Sequence, residues 1–220
     1  VSELERDPDV LAHGTTVATN ALLERRGARV ALVATRGFGD VIEIARQVRP
    51  SLYDPFADRP APLVPREWRF EVGGRLDADG TELEAWDGAC PAIPDAVEAV
   101  AVVLLHSDRN SDPEQAVAAA LRATGLDVTT SSEVSPEFRE YERMVTTVVN
   151  AYLRPACGPY LERIAGVAAN VLVMTSAGGL VGVGDAARVP AALLLSGPAG
   201  GVRAGAAVAR QAIGMMRGTY

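Results

Sequence analysis

The 220-residue chain contains no lysine, all 21 of its basic residues being arginine. It therefore cannot itself supply a Schiff-base nucleophile or the lysine of a Walker-type phosphate loop. Cysteine is nearly absent too: Cys90 and Cys157 stand alone without a C-x-x-C spacing, so neither a disulfide framework nor a zinc site is indicated, and a reducing cytoplasm fits. Basic residues are outnumbered by 28 acidic ones, leaving a formal net charge of −7, and this argues against a nucleic-acid partner, which calls for a basic patch. No long apolar run is uninterrupted. The most apolar stretch, Val189 to Met216, is broken by Pro198, Arg203 and Arg210, which argues against a membrane span and reads as a buried strand and helix. The opening VSELERDP has no basic n-region, no apolar h-region and no initiator Met, and reads as an internal start.

What is present is concentrated between His13 and Asp40, HGTTVATNALLERRGARVALVATRGFGD. Thr15 or Thr16 can cap the helix that follows, with Val17, Ala21 and Leu22 on one face and Gly27 as its stop. Arg29 to Thr35 is an apolar run too short for a buried helix and predicts a strand covered on both faces. Gly37-Phe38-Gly39-Asp40 then turns into a helix over VIEIARQ. The prolines between Pro50 and Pro65 forbid continuous helix or central strand and predict an extended surface connection. WRFEVGGRLDADGTELEAW alternates around Asp79-Gly80 and predicts a hairpin.

Val100 to Leu105 predicts a second buried strand, with His106-Ser107-Asp108 at its carboxyl end, where open α/β sheets place ligand groups. Ser111 and Glu114 have capping-box spacing before a helix over AVAAALRAT. Asp127 to Ser131 reads as a strand. Ser135-Pro136 opens a long helix to about Arg154, kinked or ended by Pro155, with a further turn or two reaching to Ile164 as the alternative. Val171 to Met174 is a strand feeding the turn Thr175 to Leu180, and Ala191 to Leu195 is another, running into Ser196-Gly197-Pro198-Ala199-Gly200-Gly201 and a helix. Strands alternating with helices predict a layered α/β architecture.

The segment His13 to Asp40, with RQVRPSLYD, PLVPRE, LLHSDRNSDPEQAV, SSEVSPEFREYERMVTTVVNAYLRP, the Ser176 to Gly179 turn and LLLSGPAGGVRAGAAVAR, resembles the hydantoinase A/5-oxoprolinase family from Leu11 to Arg210. The resemblance implies an actin/heat-shock-chaperone-like (ribonuclease H-like) ATPase fold, here incomplete and with a small inserted β-hairpin. It implies residues 1–165 as the remainder of an N-terminal domain and 166–220 as the start of a central one. It further implies ATP and Mg2+ as cofactors, a small cyclic amide as substrate, a hydantoinase B-like subunit or domain as partner, and an activated carbonyl that water opens. Activation of a ketone by the ATP-using subunit of a carboxylase is the alternative within the family. A non-catalytic module that docks a partner, or self-associates, is the alternative outside it. The family's acidic glycine-rich phosphate loops, similar to D-x-G-G-T-F-T-D, do not occur in this sequence, so the expectation is a truncated chain that alone binds ATP poorly and does not turn over. The segment Gly88 to Pro94 also looks shortened.

His13, Gly14, Thr15 and Thr16 offer an imidazole, two hydroxyls and exposed amides suited to a phosphate or a polarised carbonyl, although a lone histidine also serves as a satisfied structural residue. Ser176, Gly178 and Gly179 could receive a ligand against bare backbone, with Ala177 standing where family members carry Asn or Asp. Ser196, Gly197, Gly200 and Gly201 could hold an anion, or Gly197, Gly201 and Gly205 could form a packing face; in the resembling fold this helix crosses at a hinge. Arg143 is a catalytic candidate with Thr146, Thr147 and Asn150 along a cleft; the plainer reading puts Arg139, Glu140, Glu142 and Arg143 on an exposed charged face. No metal ligand set is proposed.

Overall fold

The computed structural model describes residues 10–202 and 205–206. The expectations for VSELERDP, for Arg203 and for the sequence after 206 lie outside them. In chain order the elements are β1 (Val10–His13), α1 (Val17–Leu23), β2 (Val30–Thr35), α2 (Val41–Ile44), β3 (Arg69–Val72), β4 (Arg75–Leu76), β5 (Glu82–Glu84), β6 (Ala99–Val103), α3 (Asp112–Arg122), β7 (Asp127–Thr130), α4 (Ser131–Val134), α5 (Glu140–Ala165), β8 (Asn170–Met174), β9 (Leu180–Gly182) and α6 (Val183–Arg188). Short 3-10 turns occupy Arg66–Trp68 and Pro190–Leu193, and residues 196–202 are helical. The chain divides into two compact units, Ala28–Pro155, and Val1–Gly27 with Ala156–Tyr220.

In the Ala28–Pro155 unit, β2 has all six residues buried, as an apolar run covered on both faces must. It is a central strand of a four-stranded parallel sheet of order β3-β2-β6-β7. Alternation sends Ala31, Val33, Val100 and Val102 into one cluster with Val117, Ala118 and Leu121 of α3. Each valine or leucine side chain among them contributes about 1.5–3 kcal/mol on burial.

RFEV does not belong to a hairpin: it is β3, parallel to β2, with Arg69 buried in the sheet and ion-paired to Glu43. The hairpin shrinks to β4 and β5, whose turn is closed by Asp77 Oδ1 accepting from the backbone N–H groups of Asp79 and Thr81 at 2.9 and 2.8 Å. Helix α2 stops at Ile44 because Ala45 and Gln47 take positive φ, and α1 stops at Leu23, before Gly27, with Arg25 at φ 55°. The Ser111–Glu114 capping box does not form; Ser111 makes no cap bond and Glu114 turns inward, fully buried. Helix α5 starts at Glu140 and runs through Pro155 to Ala165. Pro155 and Pro159 lie one turn apart on an exposed side, where water can take up the carbonyls they leave unpaired.

In the other unit β1 pairs parallel with β8, and β8 antiparallel with β9. Ala191 to Leu195 is not a strand: Pro190 starts a 3-10 turn and Leu195 sits at φ 62°, both incompatible with a ladder. Cys157 is buried in this unit, and burial pushes its thiol up to about 11. The native chain should therefore give one fast-reacting thiol with a disulfide reagent, exposed Cys90, and a second only on unfolding; two fast thiols would contradict this. Among the described residues no helix is long and apolar enough to cross a membrane.

Candidate functional site

Strands β1 and β8 are parallel, so the H-G-T-T turn after His13 and the turn after Met174 lie at the same edge of their sheet. His13 is half-buried, and its Nε2 lies 2.5 Å from the Tyr160 hydroxyl of α5, leaving Nδ1 without a partner among the described residues. Thr15 is buried, its Oγ1 accepting the Val17 N–H at 3.2 Å, whereas Gly14 and Thr16 are exposed and a Cβ at Gly14 would meet open space. The cap at Thr16 is backbone only, without a side-chain bond.

Ser196 joins this turn to the 196–202 helix: it is fully buried and its Oγ donates to the Thr15 carbonyl at 2.9 Å. Its hydroxyl is thereby spent on positioning. Gly197 is needed for close approach, since a Cβ there would lie 3.0 Å from Thr16 Cγ2, and a Cβ at Gly200 would lie 3.1 Å from the Met174 sulfur. A Cβ at Gly201 or Gly205 would meet nothing within 4 Å among the described residues, so the close approach expected over Gly197, Gly201 and Gly205 is found at Gly197 and Gly200. In the β8–β9 turn, Gly178 takes φ +79°, Thr175 N–H donates to the Gly179 carbonyl at 2.9 Å and Ser176 N–H to Ala192 at 2.8 Å. The side chain of Ser176 is exposed.

Arg143 belongs to the Ala28–Pro155 unit and is not on an exposed charged face: it is 1% exposed, with Nη1 on Asp108 at 2.7 Å and Nη2 on the Leu104 carbonyl at 2.8 Å. Its Nε is buried without a partner among the described residues. Thr147 and Asn150 are also buried, and Thr147 Oγ1 bonds the Arg143 carbonyl at 2.7 Å. The exposed-face reading fails for Arg143 because an i,i+4 charge pattern does not reveal a buried acid in another segment. A cavity of 830 Å³ in this unit is lined by Ile42, Glu43, Leu63, Tyr141, Val145 and Val148 among others, but not by Arg143, Thr147 or Asn150. Arg69 holds the Glu43 carboxyl below the usual carboxylate range, chiefly through their hydrogen bond.

Residues 2–125 match the model of the hydantoinase/oxoprolinase N-terminal region, and residues 143–215 that of the hydantoinase/oxoprolinase domain. The chain belongs to the hydantoinase/oxoprolinase family. It is 42% identical over 173 residues to caprolactamase subunit alpha of Pseudomonas jessenii, covering 74% of this chain and 25% of that protein. It is 34% identical over 221 residues to 5-oxoprolinase 1 of Arabidopsis thaliana, covering 86% of this chain and 17% of that one. The crystal structure of an ATP-dependent caprolactamase from Pseudomonas jessenii superposes with a TM-score of 0.78 at 34% identity, covering 96% of this chain and 34% of that chain. This family member thus spans about a third or less of the relatives it matches. Its fold is α/β, of the actin/heat-shock-chaperone-like ATPase type implied by the resemblance.

Tyr160 is the functional candidate that sequence reasoning missed; no local pattern ties it to His13. Tyr160→Phe is expected to cost about 1 kcal/mol of stability, the usual net worth of one hydrogen bond. In a longer, active form it should lower turnover roughly tenfold by releasing the imidazole, measured by steady-state kinetics. Unchanged turnover would reduce the pair to packing.

Proposed function

We propose that this chain is part of an ATP-dependent enzyme that activates a cyclic amide carbonyl for hydrolytic ring opening. The observation that carries the reading is the superposition of nearly the whole chain on an ATP-dependent caprolactamase. Within the chain, Tyr160 holds His13 through Nε2, which leaves Nδ1 as the atom to meet a carbonyl oxygen or exchange a proton with it. Gly14, Thr16, Ser176 and Gly179 present a hydroxyl- and amide-rich edge that fits a phosphate or amide group of a ligand; Thr15, Ser196, Gly197 and Gly200 fix the turns that carry it. Arg143 serves by holding the Leu104–Asp108 turn.

ATP, when bound, would supply the activation of the carbonyl. No group of three or more His, Cys, Asp or Glu side chains that could hold a metal ion occurs among the described residues, so no ligand to Mg2+ is assigned within them. One relative is named as a subunit alpha; by analogy we place a second polypeptide, a hydantoinase B-like subunit or domain, beside this one, in the cytoplasm. Residues 1–165 and 166–220 would belong to successive domains of the longer protein.

The test is calorimetric titration of Mg-ATP into this chain and into a version extended at both ends, followed by a ring-opening assay of the extended protein with its partner on lactam and hydantoin substrates. ATP binding to the extended protein and ATP-dependent ring opening are expected. A requirement for bicarbonate and a ketone instead would move the assignment to the carboxylase alternative. Absence of nucleotide binding in both forms would favour a docking module.

A further inference from the structure

The connection between α2 and β3 carries a group of large apolar side chains that the fold leaves in water. Leu52 is 80% exposed, Tyr53 96% and Phe56 89%, with Val48 exposed just before them. Scattered apolar residues at a surface need no explanation, but a cluster of this size does. The loop that displays them is nonetheless built. Ser51 Oγ accepts the Tyr53 and Asp54 N–H groups at 3.3 and 3.0 Å, and Asp54 Oδ1 accepts the Phe56 N–H at 2.9 Å. Arg59 Nη1 closes the base of the loop by donating to the Glu43 and Ile44 carbonyls at 3.1 and 2.9 Å. Local bonds of this kind fix the turn backbone, so covering the side chains costs little further ordering.

A hole of matching character lies in the same unit. The 830 Å³ cavity between α2, residues 58–63 and α5 has aliphatic walls in Ile42, Leu63, Val145 and Val148. It opens to solvent where Asp58 to Ala61 are exposed. Leu52, Tyr53 and Phe56 do not line it, so the chain does not fill its own cavity. A cavity of this volume takes a ligand of drug size, and two aromatic side chains are of that order. The exposed Glu43, Asp58 and Arg59 at the mouth offer partners for a phenol hydroxyl, which needs one when its ring is buried.

We propose that two copies of this chain pair by exchanging these features, Tyr53 and Phe56 of each copy entering the cavity of the other around a two-fold axis. Side chains that protrude this far cannot be covered by an identical protrusion, but the cavity can receive them. Because knob and hole belong to one unit, a two-fold axis uses each of them twice and closes the assembly at the dimer. The area agrees. Each aromatic side chain buries ~150–250 Å². With Leu52 and the receiving walls, doubled by the symmetry, the contact reaches the ~1,200–2,000 Å² of specific interfaces. Charge agrees as well, since Arg49, Asp54, Asp58 and Arg59 around the loop are of both signs and present no like-charge front to a second copy. The pairing stands or falls without the ring-opening assignment.

The experiment is sedimentation equilibrium of the whole chain from low to high micromolar concentration, where a reversible equilibrium between monomer and dimer is expected. Tyr53→Ser with Phe56→Ser removes the knob and should weaken dimerisation at least tenfold. Because both side chains are exposed, this variant should keep the circular dichroism of the parent, so the loss cannot be ascribed to unfolding. Val145→Trp, at a half-buried wall, fills the hole and should weaken dimerisation as much. Leu23→Ser, at an exposed site in the other unit, should leave it unchanged. Mixing the knobless and the holeless chains leaves one of the two contacts intact, and should give a heterodimer under conditions where neither variant pairs with itself. A parent chain that stays monomeric throughout, a knobless variant that dimerises like the parent, or a mixture without heterodimer would overturn the proposal.

Discussion

Glu114→Ala is expected to destabilise the Ala28–Pro155 unit by about 4 kcal/mol, because three donors lose their acceptor where water cannot replace it. Glu114 is fully buried at the start of α3, with Oε1 accepting the Ser131 hydroxyl at 2.5 Å and the Leu104 N–H at 3.1 Å, and Oε2 accepting the Ser132 N–H at 2.8 Å. One carboxyl group thus joins the end of β6 to the start of α4. Glu114→Gln preserves the volume and one accepting oxygen but sets an amide donor against an N–H, and should cost about 2 kcal/mol. Against a typical total of about 5–15 kcal/mol, the alanine change alone removes a large share. Urea unfolding followed by tryptophan fluorescence is selective for this unit, since both tryptophans, Trp68 and Trp86, lie in it. A loss under 1 kcal/mol for alanine would show that the network contributes little.

Arg143→Met should cost about 3–5 kcal/mol in the same assay, the range for breaking a buried ion pair from one side. Asp108, whose side chain is only 10% exposed, would keep only the longer ion pair to exposed Arg109 at 3.6 Å. The Leu104 carbonyl would keep the Ser107 hydroxyl at 2.8 Å, so most of the loss should come from the stranded carboxylate. Asp108→Asn in the Arg143→Met background should therefore restore much of the stability, a coupling of at least 1 kcal/mol in the double-mutant cycle. Strict additivity of the two substitutions would contradict a direct pair and place the role of Arg143 elsewhere.

Local signals were legible where one segment carries its own reason. VALVAT reads as a doubly covered strand because five apolar residues in a row have no polar face to expose, and β6 follows the same logic. H-G-T-T was legible as a turn into a helix for the same reason. What failed depended on distant partners. RFEV alternates as an antiparallel edge would, yet Arg69 can be buried because Glu43 and the Val64 carbonyl await it. Glu114 occupies the capping-box position of α3, and only the donors on β6 and α4 draw it inward. Tyr160, which fixes His13, and Asp108, which fixes Arg143, lie far along the sequence from the residues they hold. The exposure of Pro155 and Pro159 explains why α5 survives them, and that exposure is set by the residues around the helix.

The interleaving of the two units in the chain has a temporal consequence. Every ladder of the parallel sheet joins segments within Ala28–Pro155, so this unit can close as soon as its own residues have been synthesised. Strand β1 precedes it but pairs with β8, Val10 opposite Asn170, so this ladder cannot form until the later residues have emerged. The ribosome thus makes the strand that carries His13 early and its partner strand late. A stall after Pro155 would release a parallel-sheet unit whose upstream strand still lacks its β8 partner.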